Sequence, residues 1–483
     1  MDFAVLRLQQ EVIPSSKVNL VNLMRCVEHL FQRCLGRCLT HLFILKYMKK
    51  SKYQFYYEIA PKLFLHYNSI SNCFLLLKEG NHNEYENESV EELKLRNIGL
   101  YRSLVKKYFI VKDAFQETDF VLSRKKKLIF DSKLYNVVIN TTLDCNLDCW
   151  YCYENRIRGS KLTTEIIEAI KKNIVLRYSE KPFSVLKISF FGGEPFLYFK
   201  GIKDILDFSR EFCDNRKIEL IADFTTNATL ITLQRVEYLK QFRCHFQITL
   251  DGVREYHNRV KVCQDKNFDA YSRTINALKL ISSHIKNHWI AVRINFDNTT
   301  LQEINNIIKD IDFIDRKKAY VILKKVWQLN TKDVNKDLLL EAIQKLFDKK
   351  FLVDYYIMPK GCVCFAERES QILFNYDGKI FKCTTISSFD DENALGKLDT
   401  DSGEITWDNG KISNWYKDMQ PDYCKQCRWF PACLGICNKQ IMANNGAKIC
   451  TFDACNLTEE EYLMYLFKYQ LLQKELNGEH ALF

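Results

Sequence analysis

Three cysteines stand close together in the chain, just after a predicted β-strand. Cys145, Cys149 and Cys152 are separated by three and two residues, and they follow the apolar run Val137–Thr142. Thiolate is the natural ligand of iron–sulfur sites, so three thiols at this spacing can hold one cluster. Three ligands leave one metal position open, which is what a catalytic metal needs. Buried or zinc-binding cysteines are the alternative interpretation.

A second group of residues suited to ligand binding follows later predicted strands. Gly192-Gly193-Glu194-Pro195 comes after the run Lys187–Phe191, and glycines allow a backbone to approach a ligand closely, although such segments also form turns. Five polar residues lie at or near the ends of the next strands, where each could equally be a turn or cap residue. They are Thr226, Asn227, Thr249, Arg293 and Asn295.

The C-terminal part of the chain is rich in cysteine. Nine of the nineteen cysteines lie there, namely Cys362, Cys364, Cys383, Cys424, Cys427, Cys433, Cys437, Cys450 and Cys455. In a reducing compartment such clustering favours metal binding over structural disulfides. Iron–sulfur clusters and a zinc ribbon both suit this pattern, because paired cysteines at short spacing also bind zinc.

The elements that must position these residues alternate between strands and helices. The strands are predicted at Val137–Thr142, Lys187–Phe191, Leu220–Thr225, Phe246–Leu250, Ile290–Phe296 and Tyr320–Val326. The helices between them are predicted at Thr164–Arg177, Ile202–Cys213, Thr232–Gln241, Asp269–Ser282 and Leu301–Ile311. This alternation predicts an α/β fold with parallel strands and right-handed crossovers, wound into a partial (β/α)6 barrel like that of TIM. Chemistry in such folds lies on the loops after the strands.

Four regions are predicted along the chain. Residues 1–47 form an N-terminal extension of uncertain role, and Met48 is a possible second start. Residues 48–134 form a small α+β unit with strands at Tyr53–Tyr57 and Cys73–Leu77 and a helix at Val90–Leu104. Residues 135–330 form the barrel. Residues 331–483 form the cysteine-rich domain, with a hairpin turn at Asp377-Gly378 and a terminal helix over 458–476 that begins at a capping box.

Charge and hydropathy limit the classes of partner. The net charge of +10 indicates either a solvated basic surface or attraction to an acidic partner such as a peptide leader. We find no nucleic-acid motif. The longest uncharged stretch, Leu63–Leu77, is too polar for a membrane span, and no signal peptide precedes it. We therefore expect a cytoplasmic protein.

The cysteine triplet and the Gly-Gly-Glu-Pro segment resemble the signature of the radical S-adenosylmethionine (SAM) superfamily. The resemblance implies a 4Fe–4S cluster on Cys145, Cys149 and Cys152, whose open iron chelates SAM and whose electron cleaves SAM to a 5′-deoxyadenosyl radical. It also implies that Tyr151 packs near adenine, although an ordinary core aromatic is the alternative, and that Glu194 binds the SAM ammonium. The polar residues at the strand ends resemble the family's ribose and carboxylate contacts. Two positions depart from the pattern, Ala228 for glycine and Thr249 for serine.

The C-terminal cysteines resemble the SPASM extension of certain radical SAM enzymes. This resemblance implies two auxiliary 4Fe–4S clusters. Cys364, Cys383 and Cys437 would hold the first, with Cys362 as the candidate fourth ligand. Cys424, Cys427 and Cys433 would hold the second, and spacing favours Cys455 over Cys450 as its fourth ligand.

Enzymes of this kind typically modify peptides or proteins, which implies an oxidoreductase that forms a crosslink or oxidises a side chain in a ribosomally made substrate. A leader segment on that substrate and an external one-electron donor such as flavodoxin or ferredoxin are the expected partners. Anaerobic sulfatase maturation is the nearest alternative, but Thr384 stands where those enzymes carry an aspartate that acts as a general base. An iron–sulfur electron carrier or a peptide-binding scaffold without SAM chemistry is the alternative from another class.

Overall fold

The computed structural model describes residues 47–479 except 327, 331–332, 357–360, 387, 418 and 445–447. The predicted N-terminal extension lies almost wholly outside the described residues. The strands, numbered in chain order, are β1 Met48–Lys50, β2 Gln54–Ala60, β3 Leu63–Asn68, β4 Cys73–Lys78, β5 Ile110–Lys112, β6 Leu134–Thr142, β7 Val185–Gly192, β8 Glu219–Thr226, β9 Arg243–Thr249, β10 His288–Phe296, β11 Ala319–Lys325, β12 Val353–Asp354, β13 Gln371–Phe374, β14 Lys379–Phe381, β15 Gly396–Leu398 and β16 Ile405–Trp407.

The α-helices are numbered in the same way. They are α1 Glu79–Asn87, α2 Val90–Arg96, α3 Ile98–Lys106, α4 Glu117–Ile129, α5 Thr164–Glu180, α6 Phe199–Asp214, α7 Leu233–Leu239, α8 Arg254–Val260, α9 Ala270–His284, α10 Asn298–Gln302, α11 Ile304–Asp310, α12 Lys336–Asp348, α13 Asn409–Tyr416, α14 Asp422–Gln426, α15 Phe430–Cys433, α16 Asn438–Ala443 and α17 Glu459–Asn477. Among the described residues, no helix is both long enough and apolar enough to cross a bilayer.

One large sheet carries most of the strands. Its order is β12-β11-β10-β9-β8-β7-β6-β13-β14-β15-β16, and β6 to β11 run parallel to one another in chain order. Helices connect these six strands, as parallel neighbours require. The predicted α/β class with a mainly parallel sheet is confirmed. The run of six stays open in the described residues, because β6 pairs on its outer side with β13 and β11 pairs with β12.

Alternation along the strands separates a packed face of the sheet from a polar one. In β9 the buried residues Cys244, Phe246 and Ile248 alternate with half-buried His245 and Gln247. The buried set joins the apolar core beneath the helices, where the rings of Phe190, Phe224 and Phe246 stack 5.1–5.3 Å apart. The opposite face is therefore free to line a cavity.

The chain divides into two compact units. The first contains residues 1–52 and 79–116, of which the structure describes β1, β5 and helices α1 to α3. Strands β1 and β5 pair antiparallel. The helix predicted at Val90–Leu104 is two helices, because Asn97 ends α2 and its side chain accepts a hydrogen bond from the Leu100 N–H at 3.1 Å to start α3.

The second unit contains residues 53–78 and 117–483, so the meander β2-β3-β4 belongs with the cysteine-rich region. The rings of Phe55 and Tyr67 lie 4.8 and 5.4 Å from the buried ring of Trp429. Ser69 Oγ donates to the carbonyl of Arg428 at 2.6 Å. These contacts support the backbone on the C-terminal side of Cys427.

Two local predictions for the C-terminal region are confirmed. Gly378 adopts a left-handed φ of +82° between the antiparallel strands β13 and β14, which is the conformation that a tight turn demands of glycine. The terminal helix α17 starts at the predicted capping box, in which Glu461 N–H donates to Thr458 Oγ1 at 3.2 Å and Thr458 N–H to Glu461 at 2.8 Å.

Candidate functional site

The loop that carries the cysteine triplet is fixed where it leaves β6. Thr142 Oγ1 accepts from the Asp144 N–H at 2.8 Å, and the Asp144 carboxylate accepts from the N–H groups of Cys145 and Gly159 at 2.8 and 2.9 Å. The Asp148 N–H donates to the carbonyl of Val262 at 2.7 Å. The end of the strand and these side-chain bonds together define where Cys145 lies.

The three thiols of this loop interact with one another electrostatically. Burial, together with the charges of Glu194 and Cys149, raises the pKa of Cys145 to about 12. Burial and the neighbouring Cys149 also raise the pKa of Cys152. Thiols in such surroundings stay protonated unless a metal stabilises their thiolates. The soft, closely spaced donor set therefore fits an iron–sulfur cluster.

The two glycines of the Gly-Gly-Glu-Pro segment pack against the cysteine loop. Gly192 has a φ of +100°, and a Cβ at Gly193 would lie 2.6 Å from the carbonyl carbon of Asp144. Gly193 N–H donates to the carbonyl of Thr142 at 3.1 Å, and Glu194 N–H donates to that of Asp144 at 2.8 Å. The close approach expected here is thus made, in this structure, to the backbone just before Cys145.

Glu194 is fully buried, and its carboxylate joins β7 to β8. It accepts from Thr226 Oγ1 at 2.8 and 2.9 Å, from the Asn227 N–H at 2.8 Å and from the Phe196 N–H at 3.0 Å. Burial raises its pKa, and these hydrogen bonds oppose that shift. Pro195 follows at the first position of a short 3-10 turn. The SAM ammonium contact of Glu194 stays a prediction.

Asn227 lies directly beside the cysteine loop. Its Nδ2 is 3.8 Å from Cys145 Sγ and donates to Asn146 Oδ1 at 3.0 Å, while its Oδ1 accepts from Thr229. The next residue, Ala228, is buried with a φ of +62°, a backbone conformation that favours glycine. The departure from the family's glycine is therefore a real strain on the backbone at this point.

Tyr151 belongs to a buried polar network on the other side of the loop. Its hydroxyl bonds to the Asp251 carboxylate, and it accepts from Lys261 Nζ at 2.7 Å and from Asn295 Nδ2 at 3.2 Å. Lys261 and Asp251 form an ion pair at 3.0 Å, with only 5% and 1% of their side chains exposed. Burial opposes charge on Asp251, but Lys261 and His257 outweigh it and hold its pKa below the ordinary value. The network fixes the orientation of the Tyr151 ring.

Arg293 and Thr249 face each other in register on β10 and β9. Arg293 Nε donates to Asn295 Oδ1 at 2.9 Å, and its carbonyl accepts from the Leu250 N–H at 2.8 Å. Asn295 in turn donates to Asp251 at 3.0 Å. The predicted strand-end residues thus connect to the network around Tyr151.

The polar face of the sheet lines a cavity of about 1110 Å³. Every strand from β6 to β10 contributes residues to its wall, and Tyr320 does so from β11. Tyr153, Phe365 and Thr384, which directly follow Cys152, Cys364 and Cys383, line the same cavity. Tyr153 donates its hydroxyl proton to the carbonyl of Thr384 at 3.3 Å. The cysteine loop and one C-terminal cysteine group therefore border a common space.

Three thiols of the first C-terminal cysteine group interact electrostatically, and their role as cluster ligands stays a prediction. Burial raises the pKa of Cys364 to about 12, and the neighbouring Cys383 and Cys437 add to the shift. Burial and the charges of Glu367 and Cys383 raise the pKa of Cys437, against an opposing backbone hydrogen bond. These three thiols are therefore close enough to influence one another electrostatically. Cys362 is exposed, and the structure gives no interaction that joins it to them.

In the second group, Cys450 is an electrostatic neighbour of the other thiols. Burial raises the pKa of Cys424 to about 11, and Cys433, Cys450 and Cys427 all contribute. Cys455 is buried elsewhere, beside Tyr355 and Tyr356, whose pKa values are raised by burial and in smaller part by the charge of Cys455. The positions of the thiols thus favour Cys450 over the preferred Cys455. Spacing alone could not reveal this, because the turn Thr451–Ala454 directs the two cysteines to different surroundings.

Sequence reasoning missed Lys261 and His257. Both follow the fourth parallel strand, β9, four residues apart, and His257 Nδ1 accepts from the Asp251 N–H at 3.1 Å. A histidine and a lysine at helical spacing after a strand-end aspartate were the available signal. Lysines are so common in this chain that the signal was too weak to use.

Comparison with known proteins identifies a radical SAM domain within the chain. Residues 139–311 match the sequence profile of the radical SAM superfamily. A cysteine-type anaerobic sulfatase-maturating enzyme of Clostridium novyi (strain NT) is 23% identical over 350 residues, which cover 63% of this chain and 88% of that protein. The radical SAM cyclopropyl synthase TigE of Paramaledivibacter caminithermalis is 24% identical over 323 residues, 61% of this chain and just under two thirds, 65%, of that protein.

The fold agrees with this assignment. The solved structure of native anSMEcpe with bound AdoMet and Cp18Cys peptide superposes with a TM-score of 0.53 at 18% identity, over 71% of this chain and 99% of that one. Radical SAM proteins use a 4Fe–4S cluster and SAM, and the C-terminal cysteines fit auxiliary clusters. Residues 139–311 therefore carry a radical SAM domain, and the cysteine-rich region that follows it resembles the SPASM type.

Proposed function

We propose that this protein is a radical SAM peptide maturase, which removes a hydrogen atom from a ribosomally made peptide or protein to form a crosslink or an oxidised side chain. One observation carries the proposal. The residues that follow Cys152, Cys364 and Cys383 all line one cavity, which reaches across the polar face of the parallel sheet. A substrate in that cavity has access both to the SAM end and to an auxiliary cysteine group.

The cofactors supply the difficult chemistry, and the chain supplies position and shielding. When cluster and SAM are bound, reductive cleavage of SAM provides a 5′-deoxyadenosyl radical. Cys145, Cys149 and Cys152 would hold the cluster with one iron open. The bonds from Gly193 and Glu194 keep the cysteine loop against β7, so the three thiols that would hold the cluster lie on a fixed loop.

Polar side chains at the strand ends would orient SAM. Asn227 is next to Cys145, and Arg293 and Asn295 form one hydrogen-bonded row with Asp251. Because the ion pair of Asp251 and Lys261 holds the Tyr151 hydroxyl, the tyrosine ring stays in place for contact with adenine. Preorganisation of this kind lets a reactive radical form in only one orientation.

The size of the cavity supports a substrate larger than a metabolite. Small-molecule sites span roughly 300–1,000 Å³, and this cavity of about 1110 Å³ leaves room for a peptide segment beside SAM. The names of the relatives agree, since they include sulfatase-maturating enzymes, and the related solved structure holds a peptide. An auxiliary cluster on Cys364, Cys383 and Cys437 would accept an electron from the substrate or anchor it. An external one-electron donor such as flavodoxin or ferredoxin would reduce the first cluster.

Sulfatase maturation, here the oxidation of a cysteine or serine side chain, is the second candidate, because relatives of this chain are named cysteine-type anaerobic sulfatase-maturating enzymes. The similarity favours it, but Thr384 brings no carboxylate to the position of the expected base. We therefore favour crosslink formation. The compact first unit is a proposed leader-peptide module, since residues 47–52 and 79–116 form a folded body of their own.

The test measures SAM cleavage and its response to peptides. The full chain is purified and reconstituted anaerobically, reduced with dithionite and given SAM, and 5′-deoxyadenosine is quantified. We expect product from the wild type and none from the Cys145→Ala/Cys149→Ala/Cys152→Ala variant. Cys263→Ala is the matched control, because Cys263 belongs to none of the three cysteine groups, and it should retain wild-type product.

The peptide part of the proposal is tested in the same reaction. A pool of 20-residue peptides is added, and a substrate should raise deoxyadenosine formation and lose two hydrogen atoms by mass. A fully loaded wild type that makes no deoxyadenosine would favour a carrier or scaffold. Deoxyadenosine that no peptide or protein stimulates would contradict a peptide maturase.

A further inference from the structure

The cavity has two chemically different ends. Near the cysteine loop it is lined by Tyr153, Thr225, Arg293 and Thr384, which suit SAM and the reacting group. The opposite end lies at the N-terminal edge of the sheet, six residues earlier on β9 than Thr249. At about 3.3 Å per residue, the two ends are separated by ~20 Å along the strands.

Three basic residues lie at the far end, and one of them, Arg243, forms an ion pair with Glu219, which leaves the charges of the two lysines. Arg243 is the first residue of β9, Lys286 lies two residues before β10, and Lys318 directly precedes β11. All three line the cavity, as do Lys187 and Arg293, whereas Asp223 is the only carboxylate among its described lining residues. A cleft lined by one sign of charge focuses the field and attracts ligands of the opposite sign.

The single carboxylate does not offset this charge. Asp223 is paired with Lys187 at 3.2 Å, with the His245 ring at 4.0 Å, so it is already neutralised inside the cavity. Lys318 Nζ donates only to the backbone carbonyl of Lys286 at 3.0 Å. The ion pairs found among the described residues include no carboxylate partner for either lysine.

An aromatic surface lies between the basic residues and the cavity interior. The Trp289 side chain is 36% exposed, and its ring lies 6.2 Å from that of Tyr320. Both rings line the cavity. Such a surface can pack against the aliphatic and backbone parts of a peptide while the lysines bind its carboxylates.

We propose that the far end of the cavity, formed by Lys286, Lys318 and Trp289, is the specificity site for an acidic segment of the peptide substrate. The inference rests on the proposed function and names the substrate class. Carboxylates bind the two lysines while a residue about six positions away, at ~3.3–3.6 Å per extended residue, reaches the SAM end. Charge complementarity of this kind sets specificity and speeds association.

Fluorescence anisotropy tests the site without SAM chemistry. Fluorescein-labelled 12-residue peptides share a Gly-Ser-Ala framework and carry four Glu, four Gln or four Lys residues. They are titrated with the cluster-loaded full chain. We expect the Glu peptide to bind at least tenfold tighter than the Gln peptide, with an affinity that falls as salt is raised. Lys286→Glu/Lys318→Glu should lose at least tenfold for the Glu peptide.

The control variant makes the same change in charge at two lysines on the outer face of the protein. Lys200→Glu/Lys279→Glu changes exposed residues of α6 and α9 that do not line the cavity, and it should stay within twofold of wild type. Lys286→Gln/Lys318→Gln repeats the test with a milder change, and a thermal melt verifies that each variant is folded.

Three results would overturn the inference: equal affinity for the Glu and Gln peptides, an equal loss in the outer-face control, or a dT12 oligonucleotide that binds as tightly as the Glu peptide. Because binding is measured without reductant or SAM, loss of the acidic preference and loss of deoxyadenosine formation are separate outcomes. The first contradicts the specificity site, and the second contradicts the proposed function.

Discussion

The cysteine loop after β6 and the C-terminal cysteine region hold their thiols by different means. The loop directly follows β6 of the regular sheet, and the backbone hydrogen bonds of Gly193 and Glu194 hold it against the end of the next strand, β7. The C-terminal groups lie among short strands and helices of three to eight residues. Their backbone is positioned mainly by individual side chains.

Buried side chains take the place of a sheet in the C-terminal region. Lys382 is 1% exposed and donates to the carbonyls of Arg368 and Gln371, directly before Cys383. Gln420 accepts from the Ile436 N–H at 3.1 Å and donates to its carbonyl at 2.7 Å, next to Cys437. A region built in this way gains much of its stability when metal binds, whereas the cysteine loop is preformed by the sheet.

The largest effect should come from the contact that fixes the cysteine loop. In Gly193→Ala the new Cβ would meet the backbone of Asp144 and Leu143, so the loop and the end of β7 must separate. A shift of about 1 Å at a reacting centre costs roughly 10²-fold, so deoxyadenosine formation should fall about 100-fold. Gly410→Ala, whose Cβ would meet only Asp408 Oδ1 at 3.5 Å, should leave the rate unchanged. A Gly193→Ala rate within threefold of wild type would refute the preformed loop.

The second effect separates the ligands of the C-terminal region. Cys450→Ser should lose about four irons per chain, because its thiol lies with Cys424, Cys427 and Cys433. Cys455→Ser should keep the full iron content and lose only packing. Iron analysis of both reconstituted variants decides between them. Full iron content in Cys450→Ser together with iron loss in Cys455→Ser would instead identify Cys455 as the fourth ligand.

The buried ion pair beside the cysteine loop gives the next effect. Lys261→Met leaves the buried Asp251 carboxylate without its partner, which costs about 3–5 kcal/mol of unfolding free energy in comparable pairs. Lys240→Met, which breaks an exposed pair with Glu237, should cost about 0–1 kcal/mol. Guanidinium unfolding measures both. If the two variants lost equal stability, the Tyr151 network would be no more than a surface feature.

Acid should weaken the same network by a smaller amount. Burial lowers the pKa of His257 from 6.5 to about 4. Below pH 6.5 His257 therefore binds a proton in the unfolded chain but not in the folded chain, and the free energy of unfolding declines as the pH falls to about 4. The expected loss is about 2–3 kcal/mol. His257→Asn removes the titration, so its unfolding free energy should change less over this pH range. An identical pH profile for both proteins would exclude His257 as the source.

The positions of the parallel strands β6 to β11 were largely predictable from the sequence, for a physical reason. Buried parallel strands give short apolar runs, so all six predicted strands appear within a few residues of their observed bounds. Helix interruptions were not predictable from periodicity. Asn97 and Glu303 each divide a predicted helix, because the hydrophobic pattern continues across a residue that ends one helix and starts the next.

The site was predictable where its residues are close in sequence, and it was not predictable where tertiary contacts bring distant residues together. The three cysteines of the loop are close in sequence, so their proximity follows from spacing. Lys261 donates a hydrogen bond to Tyr151, which lies 110 residues earlier in the chain, and no local sequence pattern near either residue predicts this contact. The choice between Cys450 and Cys455 likewise depends on a single turn that only the folded chain reveals.

The most direct test of the central claim is an electron paramagnetic resonance measurement of the dithionite-reduced protein with and without SAM. If Cys145, Cys149 and Cys152 hold a cluster with an open iron, SAM should change the spectrum of the wild type. The Cys145→Ala/Cys149→Ala/Cys152→Ala variant should keep its auxiliary iron signal and ignore SAM. A wild-type spectrum that SAM leaves unchanged, or a response to SAM that survives in the triple variant, would contradict the account.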